Sequence, residues 1–131
     1  MIAYCTYCSN EKNDSKILLP VLERYKSKRI LTVFNFAKAK GLNFVILSGK
    51  YGILDVEQSI HYYDHLLSAR EVEKHSDMVV SQLKEKKITK IIFYTNSIEY
   101  DKNLKPYIDC ILIASAKGEI SLEIKELSFN D

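Results

Sequence analysis

NFVILSGKYGILDVEQSIHYYDHLL, residues 43–67, decides how the chain is read. NFVILS is apolar on both faces, as a central strand of a covered parallel sheet must be. The segment after it is long and polar, with two glycines, a lysine, two histidines, three tyrosines and two aspartates before the next helix signal. A connection between strand and helix needs only a few residues. A central strand ending in so much polar chemistry points to a site at the strand end.

Outward from there, the same alternation of strands and helices recurs. Ile2 to Tyr7 reads as a first strand, with β-branched and aromatic residues and no breaker. It runs into the polar loop CSNEKNDS, and LLPVLERY then forms a short helical turn. From Lys28 to Lys40, Ile30, Val33, Phe34 and Ala37 keep helical spacing, and Gly41 stands where a left-handed C-cap belongs. Ser68-Ala-Arg-Glu71 is a capping box opening a helix to about Lys86, with Val72, Met78, Val79 and Leu83 supplying its apolar side. KIIFYT reads as a third strand and CILIAS as a fourth. Glu119 to Leu127 alternates apolar and polar residues, as an antiparallel edge strand with one wet face does. The expected fold is α/β, a three-layer sandwich with a mostly parallel, Rossmann-like sheet and an antiparallel edge strand, forming one domain over residues 1–131. Ligands of such sheets bind beyond the carboxyl ends of the strands, where TYCSNEK, SGKYG, TNS and ASAK emerge.

Composition narrows the class. The chain has 131 residues, 47% hydrophobic and 27% charged, with a net charge of +2, too small to argue for nucleic acid by itself. Basic clusters around Arg24, Lys26, Lys28 and Arg29, and at Lys84, Lys86 and Lys87, read as solvated helix ends. No apolar run approaches the roughly 20 residues of a membrane helix, so no membrane association is expected. The start of the chain shows no signal peptide, and three cysteines fit a reducing compartment, so a cytoplasmic location is expected. Oligomeric state is not readable.

Within the long segment, Gly49 and Gly52 flank Lys50-Tyr51 and let the backbone turn sharply, with Ser48 at the strand end. Lysine can hold a phosphate, and Tyr51 or Tyr63 can stack a base. The plainer reading is a tight turn with a solvent lysine, since neither a P-loop nor a dinucleotide fingerprint is present. Asp64, Asp55 and His61 could supply acid–base chemistry, or Asp64 could fix the loop through backbone N–H groups. His75, four residues after Glu71, reads as its surface ion-pair partner. Cys5 and Cys8 form C-x-x-C, but no second ligand pair accompanies them, so no metal and no cofactor is expected. Cys5 and Cys110 read as small core residues, and Cys8 as a candidate site thiol beside Ser9 and Lys12.

A strand ending in C-S-x-x-K, then S-G-K-Y-G-I-L-D and I-x-x-Y-D, resembles an uncharacterised family of small α/β domains. That family carries an S-C-S-K-type loop and an L-S-A-K-Y-G-L-L…I-x-P-Y-D segment. Here the first lysine position reads Asn10 or Glu11, and Tyr62 replaces the proline. The second half is also similar to the peroxide-stress protein family YaaA. More distantly, the order of elements resembles uracil-DNA-glycosylase-like folds, including that domain of archaeosine-forming tRNA enzymes. The resemblance implies a site at the strand carboxyl ends that takes a nucleotide, a modified base or nucleic acid, with action at an N-glycosidic bond as one outcome. The alternative is a non-catalytic accessory module that binds a protein or nucleic-acid partner through Tyr62, Tyr63 and the basic helix ends.

Overall fold

The computed structural model describes residues 1–128; the final part of the chain, 129–131, lies outside the described residues. Among the described residues seven strands form: β1 (Ile2–Tyr7), β2 (Leu19–Pro20), β3 (Asn43–Ser48), β4 (Gly52–Asp55), β5 (Ser59–Ile60), β6 (Lys90–Thr95) and β7 (Ser121–Glu126). Five of them make the central sheet, in the order β4-β3-β1-β6-β7, while β2 pairs separately with β5. All neighbours in the main sheet are parallel except β3 and β4. Both β1 and β3 are buried from their second residue onward, which explains their unbroken apolar character.

Short α1 (Val21–Arg24) follows Pro20, whose fixed φ suits a helix start. α2 (Lys28–Lys40) is capped by Ser27, whose hydroxyl accepts the Ile30 N–H at 3.1 Å, and is closed by Gly41. It covers the face of the sheet that carries Thr6 and Tyr94. α3 (Val72–Glu85) follows the Ser68–Glu71 capping box and a short 3₁₀ turn, and packs against α4 (Lys105–Gly118) on the opposite face. The result is the three-layer α/β sandwich.

Four expectations need correction. CILIAS is not a strand: residues 105–118 form α4, whose buried Tyr107, Cys110, Ile111 and Ala114 keep helical spacing, with Pro106 in its first turn. An apolar run of that length fits either structure, and here the helical spacing prevails. With a helix in that place, β6–α4–β7 is a crossover unit, and β7 is parallel to β6 instead of antiparallel. The antiparallel edge strand is β4, at the other side of the sheet. Ala114 to Lys117 accordingly lie at the end of α4, away from the carboxyl edge; Met78 is also exposed, outside the core.

The connection through α2 carries the chain from β1 to β3 on one side. The connection through α3 then carries it back past β1 to β6. The winding direction therefore reverses between β1 and β6. In open α/β sheets that reversal opens a crevice beyond the carboxyl ends of the two strands.

Candidate ligand site at the strand switch point

A cavity of about 280 Å³ lies at the carboxyl end of β1, lined among others by Cys8, Ser9, Lys12, Arg29, Asn103 and Tyr107. Two arginines shape it. Arg29, 1% exposed, donates from Nη1 to Thr6 Oγ1 at 2.7 Å and to the Tyr7 carbonyl at 2.6 Å, and from Nη2 to the Cys8 carbonyl at 3.2 Å. Its guanidinium also lies over the Tyr7 ring at 3.5 Å. Thr6 Oγ1 in turn donates to the Tyr94 carbonyl at 2.8 Å, tying the ends of β1 and β6 together.

Arg24 is fully buried, and every one of its guanidinium nitrogens meets a backbone carbonyl. Nε and Nη2 donate to Ile60, Nη2 also to Ile17, and Nη1 to Asn13 and Ser15. One side chain thus holds the loop after β1 against the long segment after β3. A buried arginine without a carboxylate is tolerated only where its donors are fully used. Reading these arginines as solvated helix ends is corrected: Arg29 sits four and eight residues before Val33 and Ala37, on the inner face of α2.

The loop itself is braced by backbone bonds, Lys26 N–H to Glu11 at 2.9 Å and Asn13 N–H to Arg24 at 2.8 Å. Ser9 spends its hydroxyl on the Glu11 carbonyl at 2.7 Å. Lys12, half-buried, places its ammonium 4.6 Å from the centroid of the Tyr63 ring and 5.9 Å from that of Tyr25. It makes no ion pair among the described residues. Burial lowers its pKa, against the opposing pull of Cys8 and Asp64.

Behind Lys12 runs a chain of hydroxyls. Ser48 Oγ accepts the N–H groups of Lys50 and Tyr51 and meets Tyr63 Oη at 2.9 Å; Tyr63 Oη meets Tyr25 Oη at 2.6 Å. With both serine lone pairs occupied, Ser48 donates to Tyr63, and the Tyr63 and Tyr25 hydroxyls share the next bond of the chain. Cys8 Sγ contacts Tyr107 Oη at 3.7 Å, and Tyr107 Oη accepts the Leu67 N–H at 3.2 Å. Burial pushes the pKa of Tyr25, Tyr63 and Tyr107 up, so all three stay neutral hydroxyls at physiological pH. Tyr63, 4% exposed, has no ring face to offer a base.

SGKYG proves to be a hairpin turn: Ser48 pairs with Gly52, and Gly49, Lys50 and Tyr51 make the loop. Gly52 has φ +73°, and a Cβ there would stand 2.2 Å from Gln82 Oε1, which accepts the Ile53 N–H. A Cβ on Gly49 would stand 2.7 Å from Tyr107 Oη. Lys50 is exposed, and with Tyr63, Asp64, His65, Glu71 and His75 it lines a second hollow of about 510 Å³. His65 lines both hollows.

The expected residues therefore divide. Cys8, Ser9 and Lys12 line the switch-point cavity, while Gly49, Lys50, Tyr63 and Asp64 line its neighbour. Tyr51 packs edge-on against Tyr63 at 5.3 Å. Asp55 lies at the far end of the sheet, bonded to Lys86, and His61 is exposed; neither borders the two hollows. His75 is buried, and its Nε2 donates to the Ser48 carbonyl at 2.8 Å instead of pairing with Glu71, which bonds His65 at 2.9 Å. Burial raises the Cys5 thiol pKa and pushes that of Cys110 up to about 12, as inert core residues require. Among the described residues no group of three or more candidate ligands gathers to hold a metal. No helix of the described residues is long and apolar enough to cross a membrane.

The family described as Family of unknown function (DUF6884) matches residues 4–124. No curated protein matches, and no solved structure matches. The chain belongs to that family of unknown function.

Proposed function

We propose that this DUF6884 member binds a nucleotide in the switch-point cavity. The phosphate lies against the Lys12 ammonium, and the nucleoside lies between the amides of Asn10 and Asn103 and the apolar walls of Leu66 and Leu104. The observation that carries the reading is Lys12 itself. A partly desolvated ammonium without an ion pair costs stability unless an anion completes it. Anchoring that lysine in a loop clamped by a buried arginine favours binding, because the loop's ordering is already complete before the ligand arrives. The cavity volume suits a nucleoside, and the position agrees with where open α/β sheets take their ligands. Action at an N-glycosidic bond, which the sequence resemblance implies, is the reaction to look for.

A thermal-shift screen of nucleosides, nucleoside monophosphates and short oligonucleotides on wild type and Lys12→Met tests it. The expected result is a rise in Tm with a phosphorylated nucleoside that Lys12→Met abolishes. Chromatography of the same mixtures detects any released base. If no member of the screen raises Tm, the nucleotide reading fails and the accessory-module alternative takes its place.

A further inference from the structure

The outer edge of β7 carries an inference independent of the ligand site. Ser121 donates its N–H to the Thr89 carbonyl and Leu127 to that of Thr95, both at 3.0 Å. Alternation along a strand then turns the backbone N–H and C=O groups of Leu122, Ile124 and Glu126 outward. Among the described residues no further strand meets them. The strand is exposed over most of its length, with Ile124 37% exposed. Exposed edges invite pairing and are commonly blunted by charge. Here the charges are complementary to their own copy.

We propose that β7 pairs antiparallel with β7 of a second copy of this chain, about a twofold axis through Ile124, joining the two sheets into one. In that register the outward-facing residues exchange backbone bonds: Ile124 with its counterpart, and Leu122 with Glu126 of the other copy. Glu123 then stands opposite Lys125 of the other copy, and Lys125 opposite Glu123. Both fall at the non-hydrogen-bonded positions, where facing side chains lie closest. Within one chain the two groups already share a face, their charged atoms 3.9 Å apart. The neighbouring registers, centred on Glu123 or on Lys125, set like charges face to face and are disfavoured by repulsion. The interface is isologous, as a closed dimer requires.

Sedimentation equilibrium of the full chain tests this. Wild type shows a reversible monomer–dimer equilibrium, and Lys125→Glu weakens it by about tenfold or more, since two attractive cross-strand pairs become repulsive. The double variant Glu123→Lys/Lys125→Glu restores dimerisation with itself but not with wild type. Circular dichroism confirms that each variant keeps its fold, as substitutions at exposed positions should. A wild type that stays monomeric at the highest attainable concentration overturns the proposal. So does a Lys125→Glu variant that associates as tightly as wild type, or a double variant that stays monomeric.

Discussion

Two loops leave adjacent strands at the same edge of the sheet and are built in opposite ways. After β3, SGKYG turns back at once into β4, and its shape is set within the turn itself by Ser48 and by Gly52 at φ +73°, with Gln82 of α3 bracing it from across the fold. After β1, residues 8–20 form no such turn; their course is set from outside by Arg24 and Arg29. The locally determined loop has the recognisable motif, and the remotely determined loop borders the switch-point cavity. A glycine-flanked lysine announces backbone geometry first, and only its surroundings tell whether it also announces a ligand.

The sharpest way to break this contrast is Arg24→Met. The buried carbonyl of Ile60 and the part-buried ones of Asn13, Ser15 and Ile17 would lose their donor together, so stability in urea should fall by about 3 kcal/mol. A loss under about 1 kcal/mol would mean the loop holds itself. Gly52→Ala acts on the other loop, adding a strained left-handed residue and a contact with Gln82. It should cost roughly 1–3 kcal/mol while leaving nucleotide affinity nearly unchanged. An affinity loss as large as that of Lys12→Met would merge the two regions into one site.

β1, β3, β6 and α2 were legible because burial forces their patterns: the three strands are buried from their second residue onward, and α2 keeps helical spacing up to a terminal glycine, whereas the short β2, β4 and β5 were not read. α4 was misread because its run CILIAS is equally apolar on both readings; the helical spacing of Tyr107, Cys110 and Ala114, with Pro106 before it, was the usable signal. Cys8 and Lys12 were legible as strand-end residues. Arg24, Tyr25 and Tyr107 were not, since each joins the site through contacts distant along the chain. Arg29 left a trace, a charged residue at core-face spacing.

The pH dependence of binding sharpens the comparison further. Burial lowers the Lys12 pKa, so desolvating the ammonium costs folding stability, and that cost falls as pH rises above the lowered value and is gone above lysine's ordinary range. An anion holds the proton on, so nucleotide affinity should fall, by up to about tenfold per pH unit, as pH rises through the same range. Lys12→Arg, which stays charged, should remove that fall; an unchanged profile would assign the titration to another group. The smallest effect expected is on stability in Lys50→Ala, under about 0.5 kcal/mol, because the side chain is exposed and its ammonium lies 5.4 Å from the Tyr51 ring, with no ion pair among the described residues.

The most direct test is calorimetric titration of one nucleoside monophosphate, chosen by the thermal-shift screen, into wild type, Lys12→Met and Lys50→Ala. If the cavity after β1 is the binding site, Lys12→Met loses about 1.5–3 kcal/mol of affinity, roughly ten- to a hundredfold, and Lys50→Ala loses less than about threefold. The reverse order, with Lys50→Ala losing the larger share and Lys12→Met binding like wild type, would contradict the account and place the ligand on the hairpin turn.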